Sequence, residues 1–477
     1  RSFLRSKLSV KTSSGIVVNE LSPSLFEFQK DLIRWSLRLG RTAIFADTGL
    51  GKCAMAAEFA KHVVASTGKP VLVLTPLAVA PQWTLDAIAR VGADAVRIRN
   101  QHEVDGARIY VCNYDRIHLL DTSAFGGVVL DESSILKDHD SSTRNQLIEA
   151  FRLTPYKMAC TATPSPNDWT ELGNHAEFLG ICTMNEMLAE FFINDQKIVS
   201  GKKWRLKGHA QEAFWSWVAS WAAMIKRPSD LGYPDEGYAL PPLNLHHHTV
   251  KIDAAKIRER EISEIDKGKR KNKQVSLFPG AASTLGDKRW SRRESIEARV
   301  KLAAEIMAKE PHEPWIVWVA LNDEGDEAEA ELSKVVPGLA QISGSDSSDT
   351  KERLMLGFCH GDPKNLITKS KIAGKGMNWQ HSARCLFLGI DDSFESFYQA
   401  LRRLYRFGQK RPVECHIVTS DNEGRVIDNI MKKQAQAEEM SRAMVKYLAG
   451  VRDTSRVAMR AGAEYNANVP MALPEWL

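Results

Sequence analysis

The sequence has no paired cysteines and no long apolar run. Its seven cysteines lie singly along 477 residues, with no CxxC pair and no disulfide-like spacing, which favours a reducing compartment. No apolar stretch approaches the roughly 18 residues that a membrane-spanning helix needs. The first residues, RSFLRSKLSV, also lack the apolar segment of a secretory signal. A leader that was removed before Arg1 is an alternative that the sequence leaves open. We therefore expect a cytoplasmic protein without a membrane span.

The chain is also without a strong charge imbalance, a low-complexity tract or a short repeat. Lys and Arg number 64 against 59 for Asp and Glu, a net charge of +5 that permits nucleic-acid binding without requiring it. Positive charge is concentrated in KGKRKNK (267–273) and KRWSRR (288–293). These segments either contact phosphates or form a solvated loop.

What the chain does contain is two series of short β-branched runs that alternate with helical patterns. This alternation is typical of a parallel sheet covered by helices. The sequence therefore predicts an α/β protein with two lobes joined by a mostly helical insertion. The predicted segments are an N-terminal extension (1–23), a first lobe (24–180), the insertion and linker (181–294), a second lobe (295–450) and a C-terminal tail (451–477).

The segment ADTGLGKC, residues 46–53, has the composition of a phosphate-binding loop. An apolar strand ends at Ala46, a turn contains Gly49 and Gly51, and Lys52 opens a helix whose free N–H groups favour anions. The alternative is an ordinary helix start, since lysine often follows glycine there. Cys53 occupies the position where Ser or Thr usually binds Mg²⁺, and thiols are poor ligands for hard cations. Three consequences of this thiol are open. They are weak Mg²⁺ affinity, slow turnover, and a cation held mostly by Asp131 and water.

An acidic pair follows a predicted buried strand in VVLDESS. Asp131 would hold Mg²⁺ through water, and Glu132 would orient and deprotonate an attacking water molecule. Such a pair is weak evidence alone, because strand ends are often solvated. Its position 79 residues after Lys52 (131 − 52), in the same alternating series, favours the catalytic interpretation.

Near the other end of the chain, QALRRLYRFGQ (399–409) predicts an amphipathic helix over 394–405. Its guanidinium groups at Arg402, Arg403 and Arg406 could stabilise a transferring phosphoryl group. Arg403 and Arg406 are three residues apart and would share one helix face. The alternative is a basic exposed face on a structural helix.

In order along the chain, these segments resemble the motifs of Swi/Snf-type ATPases of helicase superfamily two, and most of all compact, phage-encoded DEAD-like helicases. The resemblance spans Phe26 to Gln409 and includes LFEFQKDLIRW, LTPLAVAPQW, CNYDRI, DESS, TATP, PWIVWVALNDE, ITKSKIAGKGMNWQ and QALRRLYRFGQ. It implies two RecA-like parallel-sheet lobes in tandem, with ATP and Mg²⁺ bound between them. Ser134 departs from the family pattern, which has His or Asp there, and this leaves the coupling of hydrolysis to mechanical work open.

The resemblance also implies a role for each matched residue. Catalytic roles fall on Lys52, Glu132 and the arginine fingers Arg403 and Arg406, and Asp131 and Cys53 occupy the Mg²⁺ position. The implied nucleotide contacts, with Gln29 reading adenine, are Gln29, Thr48, Gly49, Leu50, Gly51, Lys52, Cys53, Asp131, Gly376 and Gln399. The implied nucleic-acid contacts are Thr75, Pro76, Asn113, Tyr114, Thr368 and Lys369. Thr161 and Thr163 would couple hydrolysis to lobe movement.

The function that follows is a DNA-dependent ATPase that translocates along nucleic acid, with duplex DNA as the expected track and single-stranded DNA or RNA as open alternatives. A second interpretation is a strand-separating helicase, or the motor subunit of a nuclease, restriction or replication assembly with a partner in trans. A third is a nucleotide-gated DNA-binding module whose hydrolysis is impaired by Cys53. The expected location is the cytoplasm of a bacterial host or phage-infected cell.

Overall fold

Two parallel β-sheets form the protein, each at the centre of one lobe. The computed structural model describes residues 15–77, 79–137, 141–166, 168–194, 204–251, 292–373, 377–390, 393–421, 432–435 and 438–446. Within these ranges a seven-stranded and a six-stranded sheet are present, and every strand pair in both is parallel. The predicted tandem α/β lobes are therefore confirmed, in the form expected of two RecA-like lobes.

The sheet of the first lobe has the order β3-β4-β2-β5-β6-β1-β9. Its central strands are short apolar runs with every residue buried, as in VLVLT and GVVLD, because helices cover both faces of a parallel sheet. The strands are β1 Arg41–Ala46, β2 Val71–Thr75, β3 Ala95–Arg97, β4 Ile109–Asn113, β5 Gly127–Asp131, β6 Tyr156–Cys160 and β9 Ala222–Ile225. The carboxyl ends of β1, β2, β5 and β6 meet at one edge, where chemistry in such sheets usually occurs.

Helices and a small hairpin surround this sheet, and buried apolar residues fill both of its faces. The helices are α1 Glu27–Leu39, α2 Lys52–Thr67, α3 Ala80–Val91, α4 Ser142–Ala150, α5 Leu172–Leu179, α6 Met184–Phe191 and α7 Gln211–Ala219. The hairpin consists of β7 Phe192–Asn194 and β8 Trp204–Leu206, which pair antiparallel.

The sheet of the second lobe has the order β10-β15-β14-β11-β13-β12. Its strands are β10 Leu243–Val250, β11 Trp315–Val319, β12 Leu339–Gln341, β13 Asn365–Lys369, β14 Arg384–Phe387 and β15 Val413–Ser420. Its helices are α8 Ile296–Met307, α9 Asn322–Leu332, α10 Ser348–His360, α11 Ser370–Ala373 and α12 Phe394–Leu401.

The segment 181–294, predicted as a mostly helical insertion, contributes strands to both sheets. β9 pairs with β1 at the edge of the first sheet, and β10 pairs with β15 at the edge of the second. The AAMI run of β9 is fully buried but only four residues long, too short for its periodicity to distinguish a strand from a buried turn of helix. Residues 252–291, which contain the first basic cluster and most of the second, lie outside the described residues, as does the tail 451–477.

After β15 the chain returns to the first lobe. Residues 438–446 are helical, and Met440 and Met444 are 2% and 1% exposed. Both side chains belong to the first lobe's core, together with Trp215 and Leu136. Among the residues that the structure describes, no helix is both long and apolar enough to cross a bilayer.

Candidate functional site

The loop between β1 and α2 has the backbone that a phosphate cradle requires. Gly49 and Gly51 have φ angles of 94° and 82°, in the left-handed region that favours glycine. Gly51 is the N-cap of α2 and provides no side-chain cap, so the first-turn N–H groups stay available to an anion. The Nζ of Lys52 donates to the carbonyl of Ala46 at 2.8 Å, along the inner side of the loop. The loop, its lysine and the helix thus have the predicted arrangement.

Gln29 of α1 is hydrogen-bonded to this loop. Its Nε2 donates to the carbonyl of Leu50 at 2.8 Å, and its Oε1 accepts from the amide of Phe26 at 3.0 Å. The side chain is buried, and a Cβ at position 51 would collide with its amide nitrogen. Gln29 is therefore next to the loop, while its role in reading adenine stays a prediction.

The acidic pair lies at the carboxyl edge of the same sheet. Asp131 ends β5, and the hydroxyl of Thr75, at the end of β2, donates to its Oδ2 at 3.4 Å. Burial, followed by the neighbouring Glu132 charge, raises the pKa of Asp131 above its ordinary value. Glu132 has a φ angle of 56°, the one positive φ at a residue other than glycine in the described ranges. Strained backbone of this kind concentrates at functional sites, and here it directs Glu132 out of the strand.

The TATP segment contacts this pair directly. The hydroxyl of Thr161 donates to Oε2 of Glu132 at 3.5 Å and accepts from the amide of Thr163 at 3.1 Å. Sequence reasoning missed His175, a buried residue of α5 whose Nε2 lies 3.1 Å from the hydroxyl of Ser133. Burial lowers the pKa of His175 to about 4, so its ring is neutral at physiological pH. No pattern in the sequence connects His175 to the acidic segment 42 residues before it.

The arginines come from the second lobe. Arg403 and Arg406 both donate to the carbonyl of Met377, at 3.1 and 3.2 Å. Burial lowers the pKa of Arg403 to about 10, while the charges of Glu132 and Asp131 oppose that change across the lobe boundary. Burial lowers the pKa of Arg406 to about 9. The two guanidinium groups thus lie close together, and Arg403 is within electrostatic range of the acidic pair.

The local backbone around these arginines differs from the prediction. α12 ends at Leu401 rather than at 405, and Arg403 and Arg406 lie in the turns that follow. Past this end, the Arg403 carbonyl accepts from the amide of Trp379 at 2.9 Å, so it makes no helical hydrogen bond. Gln399 is buried and donates to Glu395 at 3.2 Å. Gly376 lies outside the described residues.

The site fits a divalent cation at Asp131 but not at Cys53. Two adjacent carboxylates with one raised pKa are an environment that a cation would relieve. The Cys53 thiol donates to the carbonyl of Trp83 at 3.6 Å, and burial raises its pKa well above the ordinary value, so it stays protonated. Across the described ranges no three His, Cys, Asp or Glu side chains form a metal cage. A cation here would depend on Asp131, water and substrate phosphates.

A cleft of about 840 Å³ lies between the lobes and is lined by both. Pro76 and Asn113, two of the predicted nucleic-acid contacts, line this cleft. Five basic side chains line it, Arg97, Arg99 and Arg116 from the first lobe and Lys351 and Lys371 from the second, together with three acidic ones, Glu103, Asp349 and Glu352.

The other predicted nucleic-acid contacts lie elsewhere. Thr75 and Thr368 are buried, and the hydroxyl of the buried Tyr114 donates to the Asp131 carbonyl at 2.7 Å. Lys369 is half-buried and donates to the side chain of Asn322. The structure therefore places Thr75 and Tyr114 against the acidic strand, and it brings only Pro76 and Asn113 of this set to the cleft.

Comparison with known proteins gives a distant structural likeness. No known protein family and no curated protein sequence matches the chain. Among solved structures, the chain is similar to the Sulfolobus solfataricus SWI2/SNF2 ATPase core in complex with dsDNA, at 16% sequence identity, with 95% of this chain and 99% of that chain covered and a TM-score of 0.39. At this identity and TM-score, what the chain does has to be argued from its own residues.

Proposed function

We propose that this protein is a DNA-dependent ATPase that uses lobe closure to translocate along duplex DNA. The observation that carries the proposal is the composition of the lobe boundary. Lys52 and the Asp131–Glu132 pair come from the first lobe, and the charges of that pair act on Arg403 of the second lobe. A phosphate loop, an acidic pair and arginines from an opposing lobe are the parts that phosphoryl transfer requires.

In this mechanism each residue has one task. The loop amides and Lys52 bind the phosphates, and Glu132, oriented by Thr161, holds and deprotonates the attacking water. A Mg²⁺ ion bound near Asp131 would neutralise charge on the phosphate oxygens. Arg403 and Arg406 leave the Met377 carbonyl to contact the transferring group, so hydrolysis requires that the lobes meet.

The cleft between the lobes is the proposed nucleic-acid track. Because both lobes line it, a bound strand favours the arrangement in which the lobes are together, which connects DNA binding to hydrolysis. Its arginines and lysines suit phosphate contacts, so we infer low sequence specificity and strong salt dependence.

The test is steady-state hydrolysis of ATP with Mg²⁺, without nucleic acid and then with single-stranded DNA, duplex DNA or RNA. Strong stimulation by duplex DNA is expected. Glu132→Gln should retain ATP binding and lose turnover by about two or more orders of magnitude. The exposed Glu149→Gln in the same lobe is the matched control and should hydrolyse ATP normally. Normal turnover in Glu132→Gln would refute the role of Glu132.

A second candidate function is favoured by one observation. The Cys53 thiol contacts Trp83 and provides no hydroxyl for Mg²⁺, which supports a nucleotide-gated DNA-binding module with slow hydrolysis. Absence of hydrolysis under every condition, with ATP-dependent DNA binding retained, would favour this module. A strand-displacement assay separates translocation alone from helicase activity, including that of a motor subunit with a nuclease or replication partner in trans.

We also propose that the protein is a relative of compact phage-type helicases and that it acts in the cytoplasm of a bacterial host or phage-infected cell.

A further inference from the structure

One side of α12 lies directly on the first lobe. Glu395 and Tyr398 of α12 and Arg402, which directly follows the helix, lie at spacings of three and four, and each contacts a first-lobe residue. Lys137 donates to Glu395, the hydroxyl of Tyr398 donates to Oδ1 of Asp47 at 2.6 Å, and Arg402 donates to Oδ2 of Asp47. These contacts join residues more than 250 positions apart in the sequence.

Asp47 is the centre of this contact, and it belongs to the phosphate loop. Besides the two second-lobe donors, its Oδ1 accepts from the amide of Thr48 at 2.6 Å. The same carboxylate therefore shapes the first turn of the loop and binds the opposite lobe. Burial would raise the pKa of Asp47, but the Arg402 charge and the hydrogen bonds from Tyr398, Arg402 and Thr48 lower it below its ordinary value, so it is ionised.

The contact is shielded from solvent on both sides. The side chains of Arg402 and Asp47 are 8% and 11% exposed. The guanidinium of Arg402 also packs over the rings of Tyr398 and Tyr405, at 5.6 and 5.5 Å from their centroids. A charge-assisted hydrogen bond in such surroundings is much less screened than a surface ion pair.

The arginines proposed for catalysis do not take part in this contact. Arg403 and Arg406 donate to the Met377 carbonyl within their own lobe. Two adjacent arginines, Arg402 and Arg403, thus have different partners, Asp47 of the phosphate loop and the Met377 carbonyl of the second lobe. This division assigns Arg402 a task separate from phosphoryl transfer.

We propose that Arg402 and Tyr398 are positioning residues that hold the phosphate loop through Asp47, so that the loop has its nucleotide-binding shape when the second lobe is docked on it. This inference rests on the proposed function in one respect, namely that ATP is the ligand of the loop. The second lobe then acts on ATP twice. It preforms the loop before binding, and it provides Arg403 and Arg406 afterwards.

The first experiment needs no nucleotide. Hydrogen exchange of the full chain is measured over a peptide that covers residues 46–53, in the wild type, Arg402→Met, Asp47→Asn and Tyr398→Phe. The matched control is Arg411→Met, which removes an arginine that pairs with Glu313 inside the second lobe. Exchange about tenfold faster is expected in Arg402→Met and Asp47→Asn, the order that follows from losing one charge-assisted hydrogen bond. A smaller increase is expected in Tyr398→Phe, and none in Arg411→Met.

Unchanged exchange over 46–53 in Tyr398→Phe and Arg402→Met would overturn the proposal. Tyr398→Phe loses only a hydroxyl group, so it keeps the test valid if Arg402→Met folds poorly. This outcome is independent of hydrolysis, so a chain that never hydrolyses ATP would refute the proposed function and leave this inference standing.

The second experiment separates positioning from catalysis. Arg402→Met should raise the KM for ATP about tenfold and change kcat at saturating ATP by less than about threefold, because a preformed loop contributes to binding. Arg402→Lys should recover part of the affinity. The KM for ATP of the double variant Asp47→Asn/Arg402→Met should be no higher than that of the worse single variant, because the two substitutions remove the same contact. A loss confined to kcat, or additive losses in the double variant, would mean that Arg402 acts on the phosphoryl group instead.

Discussion

Replacement of Lys157 by methionine tests how the first lobe tolerates an amine in its core. Lys157 lies near the start of β6, at the sheet edge opposite the acidic pair, and is 1% exposed. Its Nζ donates to the Phe178 carbonyl in the last turn of α5 at 2.8 Å and lies 5.3 Å from the Phe178 ring. Burial, with a contribution from Arg41, lowers the pKa of Lys157 to about 7.

The sign of the pH effect follows from the two states. The unfolded chain binds the proton with a pKa of about 10.4, whereas the folded chain releases it near 7, so the unfolded state binds more protons between these values. The stability of the wild type should therefore rise with pH across that window. The slope is at most about 1.4 kcal/mol per pH unit. We expect about 1–2 kcal/mol between roughly pH 7.5 and pH 9.5, because water reaching the amine reduces the full effect.

The assay compares melting temperatures of the wild type and Lys157→Met at these two pH values. Methionine loses the hydrogen bond to Phe178 at both, so that loss cancels in the difference. The Tm of the wild type should rise relative to that of the variant by roughly 2–8 °C between these pH values, since about 1 kcal/mol shifts Tm by roughly 2–4 °C in a domain of this size. Lys334→Met, which removes an exposed lysine, is the control. A Tm difference that does not change with pH would refute the argument that Lys157 is desolvated in the folded state.

Two further predictions concern the lobe boundary. Cys53→Thr should lower the Mg²⁺ concentration needed for half-maximal hydrolysis several-fold, because a hydroxyl replaces a protonated thiol next to the phosphate loop. An unchanged Mg²⁺ dependence would mean that residue 53 is not near the cation. Arg116→Gln and Lys351→Gln, on opposite walls of the cleft, should each weaken DNA binding by similar factors on unrelated sequences and reduce the slope of log K against log salt by about 0.9. A variant that changes sequence preference and leaves the salt slope intact would contradict a phosphate track.

The sheets and the first-lobe half of the site could be predicted from the sequence because their signals are local. Strand periodicity identifies β2 and β5, and the carboxyl ends of parallel strands meet at one edge, which brings Lys52 and Asp131 together. The partner of Asp47 could not be predicted, since Arg402 is 355 residues away and no local pattern connects the two. Tyr114 shows the same difficulty at short range, because nothing in CNYDRI indicates that its hydroxyl turns inward to the Asp131 carbonyl.

The helical return at 438–446 changes what a C-terminal truncation means for this protein. Met440 and Met444 belong to a core cluster of the first lobe whose other buried residues end more than 200 positions earlier, at Met224. A chain cut after β15 would retain every strand of both sheets and every residue proposed here to contact ATP or DNA, yet it would lose two buried side chains of the first lobe's core. The core of the first lobe is therefore complete only after the second lobe has been synthesised. The stability of the first lobe depends on residues 438–446, the last residues of the described chain.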